Sequence, residues 1–191
     1  MTGAVGSKPS SFIEDFTWLE VAAAFKAGVP VIVPIGAASK EHGHHLPMKT
    51  DWLLARALAE GIAARLPVLI APLVPFGYYP VFQSYPGSQH LSADTFQRLL
   101  TELLERLIDQ GARRLAILNT GVSTEGPVGL ASRGILERRG IRVGIADIRR
   151  LGRAADHLLE QKIGSHADER ETSILLTIAP QLVRMDLAKR D

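Results

Sequence analysis

The sequence contains no cysteine, which excludes a disulfide framework and a zinc site built on thiolates. It also lacks long hydrophobic runs, since the longest, such as residues 29–35, are far too short to span a bilayer. The opening residues, MTGAVGSKPSS, do not show the charged-then-apolar pattern of a secretory signal. From these absences we expect a cytoplasmic protein that does not associate with a membrane.

An excess of charge of one sign is also missing, because 22 basic and 20 acidic residues leave a formal net charge of +2. The paired arginines at 113–114, 138–139 and 149–150 are not interleaved with aromatic residues, so we expect no nucleic-acid surface. A chain of 191 residues with 46% hydrophobic content is long enough to bury a core. We predict a disordered lead-in over residues 1–15 and one domain over residues 16–191.

Four short apolar runs rich in β-branched residues are typical of strands buried on both faces. They are residues 30–36 (PVIVPIG), 68–73 (VLIAPL), 115–119 (LAILN) and 141–148 (IRVGIADI). Apolar residues recur at helical spacing in residues 18–27, 51–66 and 92–110, and Ser92 and Gly111 suit the two ends of the last helix. This alternation predicts a three-layer α/β/α domain with a mostly parallel sheet.

Residues 72–91 interrupt the alternation with a long stretch rich in proline, glycine and aromatic residues, including all three tyrosines. Loops of this length without regular structure are often functional. We therefore predict that Tyr78 and Tyr79 contact a substrate.

The stretch EHGHHLPMKTD, residues 41–51, holds three of the six histidines and directly follows the first predicted strand. Ligands of open α/β sheets bind beyond the carboxyl ends of strands, so chemistry is expected here. Imidazole and carboxylate together suit zinc, manganese or iron better than calcium or magnesium. Two interpretations remain open at this point, a metal site and a solvated polar loop. Asp51 either bridges metals or complements a helix N-terminus.

A second polar loop, NTGVSTEGP at residues 119–127, follows the third predicted strand. Thr120, Ser123 and Thr124 are candidates for hydrogen bonds to a substrate, and Glu125 is the strong metal-ligand type in this loop. The alternative is a connecting turn with a helix cap.

A third polar stretch, GSHADERETS at residues 164–173, opens another predicted helix. Ser165 and Asp168 form a candidate capping box that places His166 at the first helical position. Glu171 has the spacing of the apolar face that follows, formed by Ile174, Leu175, Ile178 and Leu182. A carboxylate on a buried face needs a partner, which is either a metal or substrate group or a structural cation.

In this order, the motifs resemble the creatininase family of metal-dependent amidohydrolases. They are PIG, EHG, HLP and TD (residues 34–51), PFGYYP, YPGSQHLS, ARRLAILN and HADERETS. The resemblance covers roughly residues 16–185. It implies an α/β/α fold, a two-metal centre of zinc, manganese or iron, hydrolysis of a small cyclic or linear amide, and a homo-oligomer, often a hexamer. For this chain we predict one or two such ions.

Residue by residue, the resemblance assigns His42 and Asp51 to the metal, with Asp51 as the bridge. Glu41 is a displaced third ligand, because the family's Glu-Gln-His is Lys40-Glu41-His42 here. His166 corresponds to the catalytic acid–base, with Glu171 beside it.

Within the second loop, the resemblance retains Asn119, which we place with Thr120 and Ser123 among the substrate contacts. Gly121 and Ser123 stand where family members carry a histidine and a glutamate ligand. Three other side chains are candidates to replace these ligands, namely His44, His45 and Glu125. We therefore predict an amidohydrolase with an altered ligand set, or alternatively an inactive relative that binds a small ligand or a partner.

Overall fold

The computed structural model describes residues 11–161, 164 and 166–189. Four parallel strands form one sheet in the order β2-β1-β3-β4, and they are β1 (Val31–Ile35), β2 (Leu69–Ile70), β3 (Leu115–Asn119) and β4 (Val143–Asp147). The α-helices are α1 (Trp18–Lys26), α2 (Thr50–Ala63), α3 (Ala93–Asp109), α4 (Glu125–Arg139) and α5 (Glu169–Ile178). This architecture confirms the predicted α/β fold.

Alternating side chains of the strands pack against helices on both faces of the sheet. Val31, Val33 and Ile35 of β1 belong to the large core that includes residues of α1, α3 and α4. Ile32 packs instead in the second core with residues of α2. Because successive side chains of a strand point to opposite faces, the near-continuous apolar runs are explained by a sheet covered on both sides.

The predicted helix over residues 92–110 is observed as α3, and the Ser92 side chain accepts a hydrogen bond from Thr95 N at 3.2 Å. Helix α4 was not predicted, because its sequence contains Pro127 and three glycines, Gly126, Gly129 and Gly134, which weaken its helical pattern. Strand β2 is only two residues long, shorter than the predicted run, and Pro72 cannot extend its ladder because it has no N–H.

The prediction for the start of the last helix is wrong. Helix α5 begins at Glu169, after an N-cap formed by Asp168, whose carboxylate accepts from Glu171 N at 3.0 Å. His166 therefore precedes the helix and lies outside it. The predicted capping role of Ser165 falls on a residue outside the described ones.

Residues 11–15, which the prediction placed in the lead-in, have defined structure. Phe12 is buried and forms a parallel bridge with Ile70 at the edge of the sheet, and Ile13–Asp15 form a 3-10 turn. Residues 1–10 of the predicted lead-in lie outside the described residues. Among the helices that are described, none has the length and apolar character needed to cross a membrane.

Candidate functional site

A cavity of about 230 Å³ lies at the carboxyl ends of β1 and β3. The order β2-β1-β3-β4 makes this the point where the chain switches direction across the sheet, which is where open α/β folds bind ligands. Its lining comes from the loop after β1, the segment before α3, the loop after β3 and the start of α5. The ionisable lining residues are Lys40, Asp51, Tyr78, Tyr79, His166 and Glu171.

Asp51 is held at this end of the sheet by the first turn of α2. Gly36, just after β1, allows the close approach, because a Cβ there would overlap the backbone oxygen of Asp51. The Asp51 carboxylate is 2% exposed, and each of its oxygens has a partner: Lys40 Nζ at 2.7 Å and His42 Nε2 at 3.1 Å. Burial alone would raise the pKa of Asp51, but Lys40 and His42 outweigh it and lower this pKa to about 2.

Lys40 is the site residue that sequence reasoning missed. Its side chain is only 8% exposed, and its ammonium lies 5.3 Å from the ring centroid of Phe82 and 6.0 Å from that of Tyr79. Aromatic faces attract cations, so these two rings stabilise the ammonium by cation–π interactions in addition to its ion pair with Asp51. The signal in the sequence was a lysine in place of the family's glutamate, two residues before His42.

His42 is 1% exposed and has a defined arrangement of its two ring nitrogens. Nδ1 lies 2.9 Å from the carbonyl oxygen of Lys40, which can only accept, so Nδ1 carries a proton. The second nitrogen, Nε2, faces the Asp51 carboxylate. A backbone carbonyl on the outer nitrogen is the support that metal-binding histidines use, and it leaves Nε2 for a metal or a proton.

His166 reaches the site from the segment before α5. Its Nε2 lies 2.8 Å from a Glu41 carboxylate oxygen, and the other Glu41 oxygen accepts from Gly43 N. Burial, then the charges of His42 and Lys40, lower the pKa of His166, although Glu41 opposes the shift. The ring is therefore neutral near pH 7, and with Nε2 donating to Glu41, Nδ1 keeps a free lone pair.

Glu171 lies in the first turn of α5, and one of its oxygens accepts from Ala167 N at 2.6 Å. Burial raises its pKa; the positive neighbours His42 and Lys40 oppose this rise, and the negative charge of Asp51 adds to it. The predicted direction of Glu171, toward the interior, agrees with its place in the cavity lining.

Ligand-capable atoms of His42, His166 and Glu171 all lie within 4.8 Å of one another. This trio joins one predicted metal ligand to the two residues predicted to be catalytic. The other two predicted metal ligands have different partners here: Asp51 bonds to Lys40 and His42, and Glu41 bonds to His166.

The donor set of the trio suits one divalent ion. Two imidazoles and a carboxylate suit zinc, manganese or iron. The ionisable groups described at the site comprise one ammonium, that of Lys40, and three carboxylates, those of Glu41, Asp51 and Glu171. One divalent charge would balance this set, whereas a second would leave an excess of buried positive charge.

The loop after β3 supplies no ionisable ligand to the cavity. The amide of Asn119 donates to Gly121 O and Asp147 Oδ2, both at 2.8 Å, and its oxygen accepts from the Thr124 hydroxyl at 2.6 Å. The Thr120 hydroxyl donates to Ile35 O at 2.8 Å. These two predicted substrate contacts are thus used internally; Asn119 does not line the cavity, although Thr120 does.

The other predicted substrate contacts, Tyr78, Tyr79 and Ser123, differ in whether their side chains are free to bind a substrate. Tyr79 is buried, and its hydroxyl donates to Ser39 O at 3.1 Å and also to Gln89 O, so it fastens two loops together. Burial, with a contribution from the Asp51 charge, raises the pKa of Tyr79 to about 12. Tyr78 and Ser123 are half-buried members of the cavity lining and keep the predicted position for a substrate.

The candidate replacement ligands are not brought to the cavity. His45 Nε2 bonds to Thr172 Oγ1 at 2.8 Å, and burial together with His44 lowers its pKa. His44 and His45 line a separate cavity on the other side of the loop. Glu125 pairs with Arg149 at 2.9 Å on the surface of α4. The idea that these residues replace the missing ligands is therefore not supported by the geometry.

A family model described as "Creatininase: Creatinine amidohydrolase" matches residues 14–191. Two curated relatives are similar over much of the chain. The creatinine amidohydrolase of Pseudomonas putida is 34% identical over 116 residues, which are 58% of this chain and 44% of that protein. The mycofactocin precursor peptide peptidase of Mycobacterium tuberculosis is 30% identical over 168 residues, which are 82% of this chain and 61% of that protein. The chain thus spans less than two thirds of these relatives.

Solved creatininase structures share the fold. One described as "Creatininase Mn" superposes with a TM-score of 0.85 at 26% identity and covers 96% of this chain and 78% of that chain. A glutamate-to-glutamine variant in a "Zn-Zn type" form gives a TM-score of 0.84 at 27% identity with the same coverage. The neighbours therefore carry manganese or zinc, and the described residues of this chain include one group able to hold such an ion.

Proposed function

The chain belongs to the creatininase family, and on this premise we propose that it is a hydrolase of small amides that uses one divalent ion. The observation that carries the proposal is the trio His42, His166 and Glu171, with ligand atoms within 4.8 Å, at the switch point of the sheet. Zinc and manganese are the first candidates, because the structural neighbours carry them.

A bound ion of this kind acidifies water and polarises a carbonyl group. The residues of this chain contribute the surroundings of that chemistry. Glu41 orients His166 through Nε2, which leaves its Nδ1 unprotonated, and the Lys40 carbonyl orients His42 through Nδ1. The Nε2 of His42 donates to Asp51 in the metal-free chain and would give up that proton when an ion binds. We assign His166 to the metal in this proposal, in place of the acid–base role that the resemblance implied.

The proposed substrate is a small molecule with a hydrolysable C–N amide bond, or the end of a peptide. The relatives include a creatinine amidohydrolase and a precursor peptide peptidase, which cleave amide bonds in molecules of very different length. The cavity, at about 230 Å³, is smaller than those that enclose drug-sized ligands, so only a small group enters it. Tyr78 and Ser123 are the contacts that we propose for this group.

The proposal is tested by metal content and hydrolysis measured on the same preparations. We expect about one ion per chain in the parent, and a loss of occupancy of more than about tenfold in His42→Ala, His166→Gln and Glu171→Gln. His44→Gln, which changes an exposed histidine outside the trio, is the matched control and keeps the ion. Hydrolysis of a panel of cyclic amides and short peptides should follow the occupancy.

The outcomes separate the possible roles. A parent that binds less than about a tenth of an ion per chain under saturating zinc or manganese would contradict the proposal. A His166→Gln variant that keeps its ion but loses hydrolysis would return His166 to the acid–base role.

A second candidate function is an inactive relative that binds a small ligand or a partner. The observation that favours it is the loop after β3, where Gly121 and Ser123 replace two family ligands and the polar groups of Asn119 and Thr124 bond to each other. An ion-free parent that nevertheless binds a small amide, measured by calorimetry, would support this second function over the first.

A further inference from the structure

The buried pair of Lys40 and Asp51 lies where the resemblance implies a bridging carboxylate between two metal ions. The ammonium is 2.7 Å from Asp51 Oδ2, and the two side chains are 8% and 2% exposed. A separation this short between opposite charges, away from water, is a complete ion pair. The Lys40 ammonium therefore occupies the Asp51 oxygen that a second ion would have to coordinate.

The surroundings of Lys40 fix its ammonium in this position. Its backbone N–H donates to Met48 O at 3.0 Å, and its carbonyl accepts from the ring of His42. The rings of Phe82 and Tyr79 flank the ammonium. Lys40 is therefore held by hydrogen bonds at its backbone N–H and its backbone carbonyl, and by contacts at its ammonium group.

We propose that Lys40 is a fixed cation that takes the place of one ion of a two-ion centre, so that Asp51 is neutralised by the protein itself. The inference deepens the proposed function, since it states why the site holds one ion and not two. A divalent ion at Asp51 would have to displace the ammonium or lie directly beside it, and like charges at that distance repel strongly in a buried site.

Changes elsewhere in the site agree with this replacement. A second ion would need ligands from the loop after β3, but Gly121 and Ser123 offer neither imidazole nor carboxylate. A Cβ at Gly121 would lie 2.6 Å from Thr124 Oγ1, a hydroxyl that bonds to Asn119 and to Gly121 O. Both features therefore disfavour the same second ion. Lys40 disfavours it by placing a positive charge at Asp51, and the loop after β3 disfavours it by supplying no ligand.

The experiment compares the number of ions per chain at equal free zinc, and separately at equal free manganese, by elemental analysis after equilibrium dialysis. Lys40→Gln removes the charge and keeps a hydrogen-bond donor for Asp51, and Lys40→Glu adds a carboxylate. Lys40→Glu removes the ammonium and adds a ligand, so we expect it to bind one ion more than the parent. Lys40→Gln adds no carboxylate and the loop after β3 still supplies none, so we expect it to hold the second ion at least about tenfold less tightly.

Two controls define the cause of any gain. Lys40→Arg keeps the positive charge and should match the parent. Lys40→Gln combined with Asp51→Asn removes the carboxylate as well and should lose the extra ion. Circular dichroism on each variant, with and without the ion, establishes that folded chains are compared, and Lys40→Gln serves as the readout if Lys40→Glu folds only with metal.

The result separates this inference from the proposed function. A parent with no ion, beside Lys40 variants with one, would support the role of Lys40 and contradict the one-ion hydrolase. A parent and both Lys40 variants with the same number of ions would overturn the role of Lys40 and leave the hydrolase proposal standing. A parent with two ions, one of which is lost in Asp51→Asn, would also overturn it.

Discussion

Asp51 is buried and Glu171 is half-buried, and both carboxylates line the same cavity, yet their pKa values shift in opposite directions. The pKa of Asp51 falls to about 2, because the Lys40 ammonium and His42 outweigh the cost of burial. The pKa of Glu171 rises, because burial is its largest influence and its nearest described hydrogen-bond donor is a backbone N–H. One carboxylate has a cation supplied by the chain, and the charged form of the other is disfavoured by burial and would be favoured by an added cation.

The largest effect is expected from neutralising each carboxylate in turn in the metal-free protein. Asp51→Asn leaves the Lys40 ammonium buried without a counter-charge and should lower the free energy of unfolding by about 3–5 kcal/mol. Glu171→Gln removes a carboxyl group whose raised pKa shows that its charge is not stabilised by the fold, and it should change the free energy of unfolding by less than about 1 kcal/mol. Urea unfolding in the presence of a chelator measures both values. Equal losses in the two variants would contradict the difference drawn between the carboxylates.

An intermediate effect is expected from pH in the metal-free protein. Because the folded pKa of Asp51 lies below its ordinary value of 3.8, its contribution to stability is complete above pH 4 and is lost as the pH falls toward 2. The loss is roughly 2 kcal/mol for this one group, on the scale of 1.4 kcal/mol per pKa unit.

Glu171 works in the opposite sense, since its folded pKa lies above 4.5, so the free energy of unfolding decreases as the pH rises from about 4.5 through that raised pKa. Unfolding curves at half-unit pH steps for the parent, Asp51→Asn and Glu171→Gln check both signs. Asp51→Asn should flatten the acidic limb, and Glu171→Gln should flatten the limb above pH 4.5. Parent-like limbs in both variants would contradict the assignment.

The smallest effect concerns the aromatic support of Lys40. The ammonium lies 5.3 Å from the Phe82 ring, a cation–π distance. The Phe82 ring also contacts the ring of His166, with centroids 4.2 Å apart. Replacing it by an aliphatic side chain in Phe82→Leu should reduce stability by about 1 kcal/mol beyond a control change at an exposed ring elsewhere, such as Phe76→Leu. Denaturant midpoints at matched ionic strength measure the difference. No difference between the two variants would show that Asp51 alone holds the lysine.

Much of the fold could be predicted because the information is local in the sequence. The strand runs are apolar and short, and α3 has both a capping serine and an apolar stripe, so their spacing is sufficient. Helix α4 has neither signal, since Thr124 at its N-cap makes no side-chain capping bond and glycines interrupt the helix. Its formation depends on tertiary packing, and Val128, Ala131 and Ile135 are fully buried in the main core.

The site could be predicted only in part for the same reason. The loop of His42 and Asp51 and the position of Glu171 follow from motif and periodicity. The pairing of Lys40 with Asp51 depends on the close packing of β1 against α2 at Gly36, which no local pattern reports. Similarly, the polar residues Asn119 and Thr120 looked available for a substrate, but their hydrogen bonds are made to the ends of neighbouring strands and to the loop itself.

The tight packing at Gly121 restricts the mutational routes by which this loop could regain a ligand. A histidine introduced there meets the Thr124 hydroxyl, so the single change is unfavourable until Thr124 also changes. Losing Thr124 first removes a hydrogen bond to Asn119, whose amide joins β3 to Asp147 at the end of β4. Each of the two substitutions, at Gly121 or at Thr124, is therefore destabilising when it occurs alone, and a ligand is gained only when both are present. This sign epistasis would keep a lineage in its present form even under selection for another metal ion.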